Sequence, residues 1–173
     1  MNQELIDKEK QEARRGWIKL AIIIIFFTTA IFIREHVMNF SFVVGTSMED
    51  TLRDGDILLV DVGVEKIERY DIITMRVGEA RIIKRVIGLP GETIQIIDGK
   101  TYINGAEIED QYAAITANGG VSEEIYFINE GEYFVLGDNR SASADSREFG
   151  SVSEEDVIGK VVFSIYPFNR KFH

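Results

Sequence analysis

A serine and a lysine are the two residues of this chain whose types and surroundings could support acyl transfer. The serine, Ser47, lies in the segment Gly45-Thr46-Ser47-Met48. The lysine, Lys84, interrupts an apolar, strand-like run over residues 82–87. A serine hydroxyl becomes a nucleophile when a neighbouring base takes its proton, and a lysine can be that base if burial lowers its pKa from about 10.4. The pair therefore suggests a Ser-Lys hydrolytic site.

Each of these residues alone has an ordinary structural explanation. Ser47 would most often be a turn or capping serine, and Lys84 an edge-strand lysine that prevents aggregation. On a two-residue period, however, Lys84 shares a face with Ile82 and Val86, and the other face carries Arg81, Ile83 and Arg85. Lys84 is thus the charge expected on the apolar side of a strand, and the pair is more informative than either member.

Other hydrolytic and binding chemistries are disfavoured by the composition. The two histidines, His36 and His173, lie in no motif, which disfavours a Ser-His-Asp triad. Cysteine is absent, which excludes thiolate catalysis and zinc ribbons, and the carboxylates match no calcium-loop spacing. We therefore expect no metal and no cofactor. A net charge of −10 without a basic stripe argues against a nucleic-acid partner.

The first element that must position this chemistry is an apolar span over residues 17–33. It would form a helix of about 25 Å, long enough to cross a bilayer if the Lys19 side chain reaches the interface. A removable signal peptide is the alternative, but no small-residue cleavage pattern follows the span. We expect a tail over 1–16, a transmembrane helix over 17–35 and one globular domain over 36–173.

The charges on either side of the span predict its orientation. Only Arg34 and Arg53 follow it within twenty residues, whereas the first nineteen residues, ahead of its uncharged stretch, contain five basic residues: Lys8, Lys10, Arg14, Arg15 and Lys19. Because basic flanks stay inside the cell, the tail is expected to be cytoplasmic and the domain extracytoplasmic, in a single-pass protein of the cell membrane.

The remaining pattern predicts a mostly β, antiparallel domain. Alternating or apolar runs predict strands over 40–45, 57–60, 70–77, 81–87, 100–103, 124–128, 132–136 and 160–165. Asp98-Gly99 and Asn104-Gly105 predict type I′ hairpin turns. Outside the span, no stretch has a helical period.

Three motifs in order along the chain resemble those of type I signal peptidases, of the short single-span kind found in Gram-positive bacteria. Residues 47–52 match that family's nucleophile box, Ser-Met-x-Pro-Thr-Leu, except at Asp50. Residues 84–92 match its lysine box, and residues 137–147 match its last box. The resemblance extends from the span almost to Lys160. It implies one N-terminal transmembrane helix, followed along the chain by the antiparallel β-sheet catalytic domain of that family.

The resemblance also implies roles for individual residues. Ser47 is the acylating nucleophile, with its N–H in the oxyanion hole, and Lys84 is the general base of an extracytoplasmic Ser-Lys peptidase domain. Some relatives have a hydroxyl donor where this chain has Gly45, so the second oxyanion donor would be a backbone group or water. The other implied supporting residues are Ser143, which would orient the lysine, Asp145 and Arg147, which match an ion pair, and Asp138 and Asn139, which shape their loop.

The implied activity is cleavage of N-terminal signal peptides from exported preproteins after small residues, through an acyl-enzyme intermediate. A substrate would pair by its backbone with the strand edges before Ser47 and around 82–84. The candidate pocket walls are Val43, Met48, Leu52, Ile82 and Ile83. The expected partners are signal peptides of secretory preproteins and membrane lipid, which Phe40 and Phe42 could contact.

Two alternatives differ in class from this peptidase. A self-cleaving repressor of the related Ser-Lys type would need a DNA-binding helical module in place of the span. A low-activity paralogue acting as a membrane-tethered binding protein is motivated by Asp50, because a carboxylate facing Lys84 would favour its ammonium form. The presence of both Ser47 and Lys84 argues against the paralogue.

Overall fold

The computed structural model describes residues 2–36, 38–49, 51–112 and 119–166, and within the first helix it describes side chains from Lys10 to Phe32. The described residues do not include Asp50, His173 or the side chain of His36. The expectations for these three residues therefore stay predictions. The chain forms two compact units, Met1–Met38 and Asn39–His173.

The first unit is a single long helix, α1 (Asn2–His36). Its stretch Lys10–Phe32 is long and apolar enough to cross a membrane, with a mean hydropathy of 1.8. The described side chains of that stretch are exposed, and the apolar ones among them form no separate face. A helix with this composition suits a lipid environment better than water.

The second unit is built from strands. In chain order they are β1 (Met38–Phe42), β2 (Ile57–Asp61), β3 (Ile72–Val77), β4 (Ala80–Gly88), β5 (Thr93–Ile97), β6 (Lys100–Ile103), β7 (Ala106–Glu107), β8 (Tyr126–Phe127), β9 (Glu132–Leu136), β10 (Val152–Ser153) and β11 (Val157–Tyr166). A seven-stranded sheet has the order β1-β2-β11-β3-β4-β9-β10, and a four-stranded sheet has the order β7-β6-β5-β8. Every strand pair with a described register is antiparallel, which confirms the expected fold class.

The two hairpin signals were correct. Asp98 and Asn104 have φ values of 50° and 51°, each followed by a glycine with positive φ, as type I′ turns require. These turns connect β5, β6 and β7 into the small sheet. Tyr70 departs from its expected place in a strand: its φ of 73° breaks the extended conformation, and β3 begins at Ile72.

One short helix, α2 (Ser146–Phe149), was not expected. It has four residues, too few for a periodic pattern, and Asp145 caps it by accepting a hydrogen bond from the Arg147 N–H. Strands β7 and β10 were also missed, because two-residue strands carry no alternation. Strand β5 was implied by the hairpin signal at Asp98-Gly99 but was not predicted as a strand of its own.

The expected polar and apolar faces of β4 need correction. Lys84 and Arg85, on opposite faces, are only 3% and 2% exposed. β4 lies between β3 and β9 near the middle of the large sheet, and both of its faces are covered from Lys84 to Gly88. Lys84 is therefore one of two neighbouring buried cations, rather than the single charge on an apolar side.

Candidate active site

A tight turn presents Ser47. We call residues 46–52 the Ser47 turn; within it the Glu49 N–H donates to Thr46 O at 3.0 Å and the Leu52 N–H to Met48 O at 2.7 Å. Met48 and Leu52 are buried in the apolar cluster beneath it. Gly45 precedes the turn with a φ of 88°, a conformation that favours glycine, and its N–H donates to Asp54 Oδ1 at 2.8 Å. Ser47 is thus held on a short, anchored segment.

Lys84 reaches Ser47 from β4. Its Nζ donates a hydrogen bond to Ser47 Oγ, with 2.7 Å between the two atoms. Burial lowers the pKa of Lys84, while the negative charges of Asp145 and Asp138 act in the opposite direction without outweighing burial. A lowered pKa increases the fraction of neutral amine at a given pH, and only the neutral amine can accept a proton.

The loop over residues 137–147 packs directly on the Ser47 turn. Asn139 donates its N–H to Ser47 O at 3.0 Å and its Nδ2 to Thr46 O at 3.2 Å. A Cβ at Gly137 would lie 2.1 Å from Ser143 Oγ and 2.5 Å from Ser47 O. Glycine at this position therefore permits an approach between loop and turn that any side chain would prevent.

Buried ion pairs hold this loop, and two of them involve Asp138 and Asp145. Arg85 donates through Nε and Nη2 to the two oxygens of Asp138, both at 2.8 Å. Arg147 Nε donates to Asp145 Oδ1 at 2.8 Å, and Asp145 also accepts the Gly137 N–H at 3.0 Å. The two pairs position both ends of the loop. Arg85 was missed as a site residue, although a second cation beside Lys84 in a strand is unusual enough to have indicated it.

Ser143 lies near the dyad without contacting Lys84 through a hydrogen bond. Its Oγ is buried and has no hydrogen-bond partner among the described residues. The Ser143 side chain packs against Gly137, where an added Cβ would lie 2.1 Å from its Oγ.

An open groove of about 330 Å³ runs past Ser47 and Lys84. Its walls come from β1, the Ser47 turn, β3 and β4, and they include four of the five expected pocket residues: Val43, Met48, Ile82 and Ile83. The fifth, Leu52, needs correction, because its side chain is fully buried in the core and does not line the groove. The turn directs Leu52 inward, whereas the groove opens on the side of Ser47.

The arrangement has the parts that a base-activated serine nucleophile needs. Ser47 Oγ, Lys84 Nζ and an extended groove meet at one place. The Ser47 N–H has no acceptor among the described residues, so it is free to stabilise an oxyanion. Within the described ranges, no group of three or more His, Cys, Asp or Glu side chains could hold a metal ion.

Comparison with known proteins identifies the family of this chain. Residues 14–166 match the family model described as "Signal peptidase, peptidase S26". A protein named Signal peptidase I from Bacillus licheniformis is 36% identical over 176 residues, which cover 92% of each chain. Signal peptidase I T from Bacillus subtilis (strain 168) is 35% identical over 182 residues, covering 97% of this chain and 93% of that protein.

A crystal structure of a signal peptidase I from Enterococcus faecalis V583 also matches. It is 34% identical, with a TM-score of 0.48, over 57% of this chain and 99% of that one. The family match over most of the chain and the relatives above 30% identity give the assignment. This chain belongs to the family Signal peptidase, peptidase S26, and is a serine endopeptidase of that family.

Proposed function

We propose that this protein is a membrane-anchored endopeptidase that removes N-terminal signal peptides from exported preproteins, with Ser47 as nucleophile and Lys84 as general base. The observation that carries the proposal is the 2.7 Å hydrogen bond between Lys84 Nζ and Ser47 Oγ, made by a lysine whose pKa is lowered by burial. The family and the names of its relatives support the substrate class.

Acylation begins when neutral Lys84 takes the proton of the Ser47 hydroxyl. Ser47 Oγ then forms a bond to the carbonyl carbon of the scissile peptide, and the carbonyl electrons move to its oxygen. The Ser47 N–H stabilises that oxyanion, and a second backbone group or a water completes the hole. When the C–N bond breaks, Lys84 returns the proton to the leaving amine, which leaves an acyl-enzyme on Ser47.

Deacylation repeats these steps with water as the nucleophile. Lys84, neutral again after losing its proton, takes a proton from a water beside the ester. The hydroxide forms a bond to the acyl carbon, and collapse of the intermediate breaks the bond to Ser47 Oγ. The Lys84 proton returns to Ser47, so one peptide bond and one water are consumed in each cycle.

The groove suits an extended peptide. β1 lies at the edge of the large sheet, so a substrate strand can pair with its free backbone groups. Val43, Met48, Ile82 and Ile83 leave shallow pockets beside Ser47, which favours small substrate residues such as alanine on the acyl side.

The supporting residues act through the dyad. The ion pair of Asp145 and Arg147 holds the loop that packs on the Ser47 turn. Asp138 holds the same loop through its pair with Arg85, and Asn139 bonds to the turn directly. Gly45 permits the backbone conformation before the turn. Ser143 is the residue that would orient Lys84, and its buried hydroxyl has no hydrogen-bond partner among the described residues that would compete for this role.

The membrane holds the enzyme near its substrate. The tail over 1–16 lies in the cytoplasm, the helix over 17–35 crosses the membrane once, and the domain over 36–173 acts outside. The basic residues before the span favour this orientation. The exposed side chains of Phe40 and Phe42 on β1 can enter the lipid interface.

The test is cleavage of an exported precursor by the purified full-length protein in detergent. Ser47→Ala and Lys84→Ala should each abolish product formation. Lys100→Ala is the matched control, because Lys100 is exposed and its ion pair with Glu107 lies at the surface. Cleavage by either dyad variant at the wild-type rate contradicts the assignment. Precursor binding without cleavage by the wild type would instead favour the membrane-tethered binding protein.

A further inference from the structure

The end of the Ser47 turn is held by a tyrosine from the segment that follows β7. Thr51 Oγ1 donates a hydrogen bond to the Tyr112 hydroxyl at 2.8 Å. The Thr51 N–H donates to Met48 O at 3.1 Å, so the side chain that contacts Tyr112 belongs to the same turn as Ser47. A displacement of Tyr112 would therefore reach the segment that presents Ser47.

The same hydroxyl also contacts the strand that carries Lys84. Arg85 Nη2 donates to the Tyr112 hydroxyl at 3.2 Å and to Thr51 Oγ1 at 3.3 Å. The Arg85 guanidinium carbon lies 4.7 Å from the centre of the Tyr112 ring, in a cation–π contact. We call Thr51, Tyr112 and Arg85 the hydroxyl bridge. It joins the two backbone segments whose separation determines the distance from Lys84 Nζ to Ser47 Oγ.

A buried ion pair anchors Tyr112 in turn. Asp110 accepts two hydrogen bonds from Arg140, at 2.6 and 2.7 Å, and both side chains are at most 3% exposed. Asp110 Oδ1 also accepts the Tyr112 N–H at 3.2 Å. Arg140 Nε donates to Gly137 O at 3.0 Å, in the loop that packs on Ser47. Since a bidentate pair restrains orientation as well as distance, the Tyr112 backbone is placed relative to this loop.

Tyr112 does not line the substrate groove. It lines a separate cavity of about 250 Å³, together with Tyr70, Arg85 and the residues 109–111. Any effect on cleavage must therefore pass through the bridge to the dyad, and not through contact with substrate.

We infer that Tyr112 is a positioning residue of the catalytic centre, whose hydroxyl sets the Ser47 turn against β4. This role rests on the proposed Ser47–Lys84 dyad. Without the hydroxyl, the turn keeps its internal hydrogen bonds and the longer 3.3 Å bond from Arg85 to Thr51, but it loses the shorter link to Tyr112. Ser47 Oγ and Lys84 Nζ then spend less time aligned for proton transfer. Small misplacements of reacting groups reduce the chemical step more than the binding of substrate.

The test is steady-state cleavage of an exported precursor by the full-length protein and its Tyr112→Phe and Thr51→Val variants. Tyr112→Phe retains the ring over Arg85 and removes only the hydroxyl. We expect kcat to fall about tenfold, with KM changed less than about twofold. The double variant should be no slower than Thr51→Val alone, because Thr51→Val already removes the bond to the Tyr112 hydroxyl together with the bond from Arg85.

Tyr126→Phe is the matched control. Tyr126 lies in β8 of the small sheet, and its hydroxyl accepts the Ser151 N–H at 3.1 Å, so its contact is not with the Ser47 turn or β4. We expect its kcat to equal that of the wild type. All variants are compared below the start of their thermal unfolding, so that a loss of folded protein does not lower the rate.

The role of Tyr112 is overturned if Tyr112→Phe retains the wild-type kcat, if Tyr126→Phe loses as much, or if the effects of Thr51→Val and Tyr112→Phe simply multiply. Cleavage that needs Ser47 but not the Tyr112 hydroxyl overturns this role alone. Cleavage that survives Ser47→Ala overturns the proposed function, and this role with it.

Discussion

Lys84 and Ser47, 37 residues apart in sequence, are joined by a 2.7 Å hydrogen bond between Nζ and Oγ. The lysine is buried, and its pKa is lowered by that burial against the opposing charges of Asp145 and Asp138. A base of this kind works only when it has lost its proton, so the state of one amine controls the proposed chemistry.

The first prediction concerns the pH dependence of cleavage. kcat/KM should rise with pH through the lowered pKa of Lys84, because deprotonation of the free enzyme produces the active base. The midpoint should lie below the usual lysine value of about 10.4. Initial rates of precursor cleavage, recorded from mildly acidic to alkaline pH, measure this midpoint. Lys100→Ala should give the same profile, and a flat wild-type profile would exclude Lys84 as the base.

The second prediction concerns stability. Between the lowered pKa of folded Lys84 and about 10.4 in the unfolded chain, the unfolded state binds more protons, so this lysine makes the free energy of unfolding rise with pH. The Lys84→Met variant has no amine at this position, so its free energy of unfolding lacks this rise with pH. Its stability relative to the wild type should therefore be greatest at low pH and should decline through this window. Denaturant unfolding in detergent at several pH values tests this, and a difference that is constant with pH would contradict it.

The third prediction is that Gly137→Ala inactivates the enzyme without unfolding it. The new methyl group would lie 2.5 Å from Ser47 O and 2.1 Å from Ser143 Oγ, so the loop or the Ser47 turn must move. We expect a loss of about 100-fold in kcat/KM, as for other small displacements of reacting groups.

Gly16→Ala is the control for Gly137→Ala, since no atom lies within 4 Å of its added Cβ. Cleavage kinetics and a thermal melt measure both variants. A fully active Gly137→Ala protein would show that the close packing of loop and turn is not needed.

The fourth prediction concerns the buried pair of Arg85 and Asp138. Asp138→Asn removes the partner's negative charge and one of the two acceptor oxygens, and it leaves the Arg85 guanidinium buried, so the free energy of unfolding should fall by about 3–5 kcal/mol. Glu107→Gln removes the exposed partner of Lys100 and should have little effect. Reversible denaturant unfolding measures the loss in each of the two variants. Equal losses would show that burial of the Arg85–Asp138 pair is unimportant for stability.

The fifth prediction concerns Asp50, which lies outside the described residues. The nucleophile box of the signal peptidase family has proline at this position, and proline would restrict the backbone just after Ser47. We expect Asp50→Pro to preserve or raise kcat/KM with a precursor. A large loss would mean that the aspartate itself is used by this enzyme.

Several features of the fold were recognisable from short stretches of sequence. Asp98-Gly99 and Asn104-Gly105 identified two hairpins, because their residue types tolerate the positive φ that these turns need. The alternation along β3 and β4 identified strands. It failed as a guide to burial in β4, where Arg85 is buried, because burial depends on what the rest of the chain places over each face.

The residues expected to line the groove lie in two different environments for a similar reason. Val43, Met48, Ile82 and Ile83 line the groove, but Leu52 points into the core. Two residues of one turn can point in opposite directions, one to the groove and one to the core. The periods of strands and helices do not apply to an irregular turn, so the sequence does not show which residue points where. Tyr112 and Asp110 carry no motif at all, since their contacts come from segments far away in sequence.

By itself, the sequence determined the apolar helix, the antiparallel strands, the family and the pair Ser47 and Lys84, because local patterns and ordered motifs carry that information. Only the tertiary structure decided which charges are buried, how close the lysine lies to the serine, and that Tyr112 joins their two segments. Those properties arise from contacts between distant parts of the chain, and hydrogen bonds and desolvation act through space without regard to sequence separation.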